Sequence, residues 1–393
     1  MLTINGGSSS IKFALYRSGE PPERMLFGKI DRIGLPGAIL MADGPALNDS
    51  ESRNVNAPNH GSAANVLLDW LKTQIPFESL RGVGHRVVHG MQYSEPQQVT
   101  PALLDELRRN IAYDPDHLPL ELELIDAFRQ RHAKLPQVAC FDTAFHRTMP
   151  RVARILPIPR RFDAQGIQRY GFHGLSYAFL VEELARVAGP QAAQGRVILA
   201  HLGNGASLAA VRDGKSIDTS MGLTPAGGFP MGTRSGDLDP RVAWHVMRAE
   251  NLSPEPFNDL VNHASGLLGV SETSSDMRDL MACQASDVRA AEAVELFCYD
   301  VRKWIGAFAA ALGGVETLVF SGGIGENAAE VRARICAGLR FLGIELDPAR
   351  NDAGAAVISA AAGPVTVRVI RTDEERMIAQ AVCRLLDSES LAS

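Results

Sequence analysis

No two of the five cysteines (Cys140, Cys283, Cys298, Cys336, Cys383) form a Cys-x-x-Cys pair, and the histidines show no metal-binding spacing. A disulfide framework and a zinc-type site are thereby excluded, and a reduced, cytoplasmic chain is expected. Lysine and arginine form no cluster of the length that nucleic-acid binding demands, and the formal net charge is −6. Nucleic acid is therefore not an expected partner, and any phosphate contact should be local. No window approaches the ~18 apolar residues of a membrane span. The first residues lack a basic stretch followed by an apolar one, so neither secretion nor a membrane location is expected. Low-complexity linkers are also missing.

What is present is an ordinary globular composition, 46% hydrophobic over 393 residues, enough for two domains with full cores. Helix-like and strand-like segments alternate, the pattern of an α/β protein. Helical periodicity is clear at 101–111, 120–132, 177–187, 288–312 and 375–386. Strands that end in polar or glycine-rich turns are expected in "GVGHRVVHG", "QVACFDTAFH", "RVILAHLGNGASLAAV" and "TLVFSGGIGEN".

Near the start, "INGGSSSIKFAL" reads as strand, turn, strand, because Ile11, Phe13 and Leu15 alternate with Lys12, Ala14 and Tyr16. A P-loop is a poor fit, since Lys12 follows the turn within a strand and does not open a helix. Its glycines nevertheless admit backbone N–H groups to phosphate oxygens. A weak counterpart, "HLGNGASLAAV", begins about half a chain later. Two such hairpins suggest a duplicated α/β domain whose lobes, 1–145 plus 376–393 and 146–375, each offer a phosphate turn to a shared cleft. This is the two-lobed, actin-like ATPase arrangement of the actin, Hsp70 and sugar-kinase superfamily. The third glycine-rich stretch, "TLVFSGGIGEN", adds an adenosine site in which Asn327 and Glu330 have the form of a capping box.

Isolated cations stand in polar turns: Arg86 in "GHRVVHG", His173 in "RYGFHG", His201 in "HLGNG", Arg234 in "MGTRSGDLDP" and Arg278 in "SSDMRDL". Phosphoryl transfer needs such groups, since its catalysis is positioning and charge stabilisation. Asp142 ends an apolar strand, a natural place for a Mg²⁺- or water-holding acid. Glu374, in "IRTDEERMIAQ", reads equally as an acid favoured at a helix start.

The motifs "INGGSSSIKF", "GHRVVHG", "FDTAFH", "RYGFHG", "HLGNGAS", "DTSMGLTP", "MGTRSGDLDP", "SGLLGVSETSSDMRDL", "SGGIGEN" and "TDEE" occur in order along nearly the whole chain, which in this resembles the acetate kinase family. The resemblance implies a homodimeric enzyme that uses ATP and Mg²⁺, with Mn²⁺ tolerated, to phosphorylate acetate or another short-chain carboxylate, reversibly. It implies metal-associated roles for Asn5 and Glu374, and a first phosphate turn at Ser8 and Ser10 with Lys12 beside it. Arg86 matches the carboxylate-binding arginine, with Val88, Phe172 and Pro225 lining the acyl pocket. Asp142, His173 and Arg234 match the catalytic groups. The nucleotide positions are His201, Leu202, Gly203, Asn204 and Gly205; then Asp276, Met277 and Arg278; then Gly323, Ile324, Gly325, Glu326 and Asn327.

A general-base role for Asp142 is unattractive, because the substrate acid is already ionised near pH 7. Orienting Mg²⁺ and opposing wrong approaches of two anions suits it better. The family pattern Leu-His-Asn-Pro is here Asp116, His117, Leu118, Pro119 in "PDHLPLE"; Thr-Ser-His is Leu175, Ser176, Tyr177; and "HGG" is His89, Gly90, Met91. The first of these segments borders the acyl pocket, and all the departures spare the phosphate-handling positions. A methylene in an apolar pocket shifts binding by only ~1–3 kcal/mol, so propionate stands as an alternative substrate, with butyrate behind it. A nucleotide-switched binding protein of actin or Hsp70 type is the remote alternative, and it needs neither Arg86 nor Arg234. The helix at 288–312, with Phe297, Trp304 and Phe308, is a candidate subunit interface, with core packing as the competing reading.

Overall fold

A computed structural model describes residues 1–7, 9–47, 49–361 and 363–392, the last four by backbone alone. Ser8, expected in the first phosphate turn, lies outside the described residues. Among them, thirteen strands form two sheets. The first contains β1 (Leu2–Gly6), β2 (Ser10–Arg17), β3 (Glu23–Asp31), β4 (Ile39–Asp43), β5 (Glu51–Asn54), β6 (Val83–Val87), β7 (Gln97–Gln98) and β8 (Gln137–Phe141), in the order β5-β4-β3-β2-β1-β6-β8-β7. The second contains β9 (Val197–Leu202), β10 (Ala206–Arg212), β11 (Lys215–Thr219), β12 (Thr317–Ser321) and β13 (Thr366–Val369), in the order β11-β10-β9-β12-β13.

Each sheet carries the same motif. The runs β3-β2-β1 and β11-β10-β9 are antiparallel, and each is continued by two parallel strands, β6 and β8 or β12 and β13. Antiparallel neighbours can be joined by tight turns, whereas parallel ones need a crossover. The glycine turns accordingly sit in the hairpins: Gly7 N–H donates to Ser10 O at 2.7 Å, and Gly203 N–H to Gly205 O at 3.1 Å. Helices His60–Gln74, Leu118–Arg131, Val288–Leu312 and Ala329–Cys336 lie in the crossovers. The weak repeat in the sequence is thus a repeat of topology.

Two compact units result, residues 1–144 with 373–393, and residues 145–372. Residues 373–375 group with the first unit rather than the second, because Glu374 opens the helix Glu374–Ala392, which packs on β1, β6 and β8. The helix Val288–Leu312 is capped by Asp287, whose side chain accepts from Arg289 N–H, and ends at Gly313 with φ 72°. Its Val294, Phe297, Val301, Ile305, Phe308 and Leu312 are buried, so this helix fills the core of the second unit and Phe297 and Phe308 do not form a surface. Half-buried Trp304 packs edge-on against Phe308. All five cysteines are free. Among the described residues no helix is long and apolar enough to cross a membrane.

Candidate active site

In the first unit, the parallel order β1-β6-β8 aligns the C-terminal ends of three strands, where α/β sheets bind ligands. Asn5, Arg86 and Asp142 stand at those ends. Arg86 Nε and Nη2 donate to Asp142 Oδ2 at 3.1 and 2.6 Å, and Nη1 donates to Asn5 Oδ1 at 3.3 Å. The Nε–Nη2 edge is therefore occupied by Asp142, while Nη1 also reaches Gly6 O at 3.5 Å. Burial opposes the Arg86 charge, but Asp142 and Glu374 outweigh it and raise its pKa. Burial in turn raises the Asp142 carboxyl above the usual range against the pull of Arg86.

Asn5 Nδ2 donates to Glu374 Oε2 at 2.9 Å and to Glu375 Oε1 at 3.1 Å. Glu374 lies in the first turn of a helix, as a helix-start acid, and it also touches Asn5. Burial raises the Glu375 carboxyl, with Lys12 opposing and Glu374 adding to the shift. Lys12 is exposed and pairs across the hairpin with Asn5, while Ser10 opens β2.

Val88 is buried, and its N–H donates to both oxygens of Glu121, at 3.0 and 3.1 Å. Burial, with Asp114 nearby, lifts Glu121 well above the ordinary carboxylate range. The Leu118 departure packs into the core with Val87, Leu122, Ile125 and Phe141.

The second unit holds a separate set. His173 has left-handed backbone, φ 58°, an uncommon state for a residue with a side chain. Buried His146 supports the turn, with Nε2 3.0 Å from Phe172 O and Nδ1 2.8 Å from Ser216 Oγ. The carbonyl can only accept, so Nε2 carries the proton and Nδ1 accepts from Ser216. Gly171, φ 75°, lies so close that a Cβ there would stand 2.4 Å from Thr219 Cγ2 and 2.7 Å from the His146 ring. Phe172 is itself buried.

His173 and His201 stack with centroids 4.3 Å apart. A Cβ built on Gly205 would lie 3.4 Å from His173 Nε2 and 3.5 Å from Arg234 Nη1. The bare hairpin turn thus leaves room beside two nitrogen donors, with Gly203 and exposed Asn204 completing it. Arg234 Nη1 donates to Pro225 O at 3.2 Å, joining two expected site residues.

Gly266 was not singled out from sequence, although it lies in the "SGLLG" stretch. Its φ is 60°, and a Cβ would fall 2.2 Å from Met231 O and 2.6 Å from Arg234 O. Gly266→Ala is expected to displace the Arg234 backbone, costing ~2–4 kcal/mol of stability and about a hundredfold in turnover. Denaturant unfolding and steady-state rates check this; wild-type values in both would refute the packing argument.

Of the nucleotide positions, Asp276 caps the helix Met277–Cys283 and pairs with Arg278, whose side chain is 89% exposed. The side chains of Met277 and Leu202 are buried in the core. Asn327 does not cap the following helix. The segment Gly322–Asn327 is already helical, and Asn327 Nδ2 donates back to Gly323 O at 2.8 Å, while Glu330 pairs with Arg334. Gly323 is open on its Cβ side, Ile324 is half-buried and Gly325 is buried. Glu326 Oε1 accepts from Gly322 N–H and Thr372 N–H at 3.0 and 3.2 Å. Buried Arg332 donates to Gly325 O, Glu326 O and Asn351, tying the glycine segment to the helix Pro348–Asp352.

Hard oxygen donors suit Mg²⁺, which is usually held by one or two carboxylates plus water and substrate phosphate. Asn5 and Glu374 are such donors. Buried Asp142 Oδ1 has no hydrogen-bond partner among the described residues, as a group aimed at a cation or its water would. Among those residues no three His, Cys, Asp or Glu gather into a cage.

A repeated five-strand motif, one glycine hairpin per unit and Arg86 near a strand end fit a phosphotransferase of the actin-like ATPase fold. The chain belongs to the acetokinase family, whose model matches residues 1–380. The acetate kinase of Methylocella silvestris is 43% identical over 100% of this chain and 99% of its own. The propionate kinase of Citrobacter rodentium is 43% identical over 98% of each. The crystal structure of Porphyromonas gingivalis acetate kinase has 37% identity and a TM-score of 0.86, covering 98% of this chain and 99% of its own. A propionate kinase structure from Francisella tularensis has 36% identity and a TM-score of 0.89, covering 97% of this chain and 98% of its own.

Proposed function

We propose that the chain transfers the γ-phosphoryl of ATP to acetate, reversibly and in line, giving acetyl phosphate and ADP. Membership of the acetokinase family over residues 1–380, with Arg86 fixed between Asp142 and Asn5, carries this reading. Arg86 binds and orients the carboxylate, and its charge offsets the repulsion between two anions. The resemblance to the family assigns acyl-pocket roles to Val88 in the first unit and to Phe172 and Pro225 in the second. His173 and Arg234 donate to the transferring phosphoryl, where charge is spread over the equatorial oxygens. The N–H groups of the hairpin turns, with Lys12, receive phosphate oxygens, and the 276–278 and 323–327 segments hold the nucleoside. Asn5 and Glu374, with Asp142 directly or through water, would hold Mg²⁺, which supplies charge neutralisation at the phosphates.

Propionate is a second reading, supported by the equal 43% identity to an acetate and a propionate kinase. A cytoplasmic homodimer completes the proposal. Leu238, Val242 and Trp244 are exposed around the helix Pro240–Ala249, which buries none of its residues, and such a face suits a second copy. Sedimentation showing a monomer would remove the dimer.

The test of function is ADP release with Mg²⁺-ATP and acetate, propionate, butyrate or no acid, trapping acyl phosphate with hydroxylamine. Hydroxamate formed with acetate well above the no-acid rate is expected. Hydrolysis indifferent to every acid, without hydroxamate, would overturn the kinase.

A further inference from the structure

Tyr177 is one of the departures after "RYGFHG", and its phenol is linked through Ser207 to His173. It is fully buried on the helix Gly174–Ala188, one turn beyond His173. Its Oη lies 2.5 Å from Ser207 Oγ, and Ser207 Oγ lies 2.8 Å from His173 Nδ1. Ser207 is also fully buried, on β10, directly across the hairpin from His201.

A serine hydroxyl has one proton to give and two lone pairs with which to accept. Between a phenol and an alkanol, the more acidic phenol is the better donor. Ser207 therefore accepts from Tyr177 and turns its own proton to His173 Nδ1. That nitrogen can accept only if unprotonated, which leaves the ring proton on Nε2. The space beside Nε2 is the space beside Gly205 and Arg234 Nη1. The opposite tautomer would aim a lone pair there, and a lone pair repels a phosphoryl oxygen. His201, stacked on His173, has its own Nδ1 2.8 Å from Ser176 Oγ.

We propose that Tyr177 is a positioning residue: by donating to Ser207 it holds His173 as the Nε2–H tautomer, so that a neutral imidazole meets the phosphoryl group as a hydrogen-bond donor. The catalytic part rests on the kinase reading above; the tautomer does not.

The experiment uses the full-length protein labelled with ¹⁵N-histidine, with His173 assigned through His173→Gln. The ring ¹⁵N shifts of wild type should report Nε2–H. Tyr177→Phe and Ser207→Ala should each give a tautomer mixture, and kcat for hydroxamate formation should fall about three- to tenfold, in step with the competent fraction, while both KM values stay within about twofold. Ser207→Ala keeps the test available if Tyr177→Phe does not fold. An Nδ1–H tautomer in wild type, or an unchanged tautomer in both variants, would overturn the proposal. The expected tautomers without hydroxamate in wild type would remove the kinase reading and leave the control by Tyr177 standing.

Discussion

Arg86→Ala is expected to lower kcat/KM for the carboxylate by roughly 10²–10³-fold, mainly through KM, and to destabilise the fold by ~3–5 kcal/mol. The two effects have one origin. Asp142 is fully buried, and Arg86 is bonded to it through Nε and Nη2. Removing the guanidinium leaves an uncompensated carboxylate in a site that already raises its pKa. The carboxyl then takes up a proton or recruits water, and either change costs stability. Arg86→Ala combined with Asp142→Asn should recover much of the stability, because the buried charge is gone, but none of the activity. Arg234→Ala, by contrast, removes the donor proposed to act at the phosphoryl and should lower kcat with KM for the acid little changed. Unfolding curves and steady-state kinetics on the three proteins decide this. Equal losses of kcat and KM in both single variants would contradict the division of labour, and a double variant no more stable than Arg86→Ala would contradict its electrostatic origin.

The second large expectation concerns acid. His85 and His146 are buried, one in each unit, and burial pushes both down to about 4 from 6.5. By geometry neither ring nitrogen of His85 nor Gln137 Oε1 makes a hydrogen bond among the described residues, although Gln137 lies near enough to oppose the shift weakly. A histidine whose folded pKa is depressed binds its proton more readily when unfolded. Stability therefore falls as pH drops below 6.5, and the full loss is reached near 4. Each histidine should cost about 2 kcal/mol at pH 5 and roughly 3 kcal/mol at pH 4. The raised carboxyls of Glu121, Asp142 and Glu375 act in the opposite sense, since they protonate in the folded state first. The clean measurement is thus a difference: His85→Leu should hold the wild-type stability or better at pH 7 and exceed it by about 2 kcal/mol more at pH 5. Parallel pH curves for the two proteins would show that His85 is not buried as a neutral ring.

Much of this arrangement is legible in the amino-acid order because it is local. Alternation marks β2, although only Ile11, Lys12 and Phe13 follow it in burial and Ala14 and Tyr16 are buried beyond it; the three- and four-residue spacing of buried side chains marks the helix Val288–Leu312 with its bounds as expected. Each is a property of neighbours along the chain, set by periods of two and 3.6 residues. The glycine hairpins are equally local, and their recurrence announced the duplicated sheet. The resemblance carried the residue roles.

Contacts made across strands and between distant segments were decided by tertiary structure alone. Asn5 meets Glu374 across 369 residues because β1 packs against the last helix, and Arg86 meets Asp142 across 56 because β6 and β8 run parallel in register. Nothing near Arg86 in the chain says which edge of its guanidinium is occupied. The same holds for the missed residues: Gly266 is required by carbonyls of the 231–234 turn, His146 by Phe172 O, and Ser207 by His173. Asn327 shows the converse, a local capping pattern overridden by the helical turn that contains it. Sequence determined which segments form and which chemistry they carry, since those depend on short-range periodicity and residue type. The proton on His173, the pairing of Arg86 and the burial of Phe297 depend on what lies opposite each side chain, and that is settled only when sheets and helices pack.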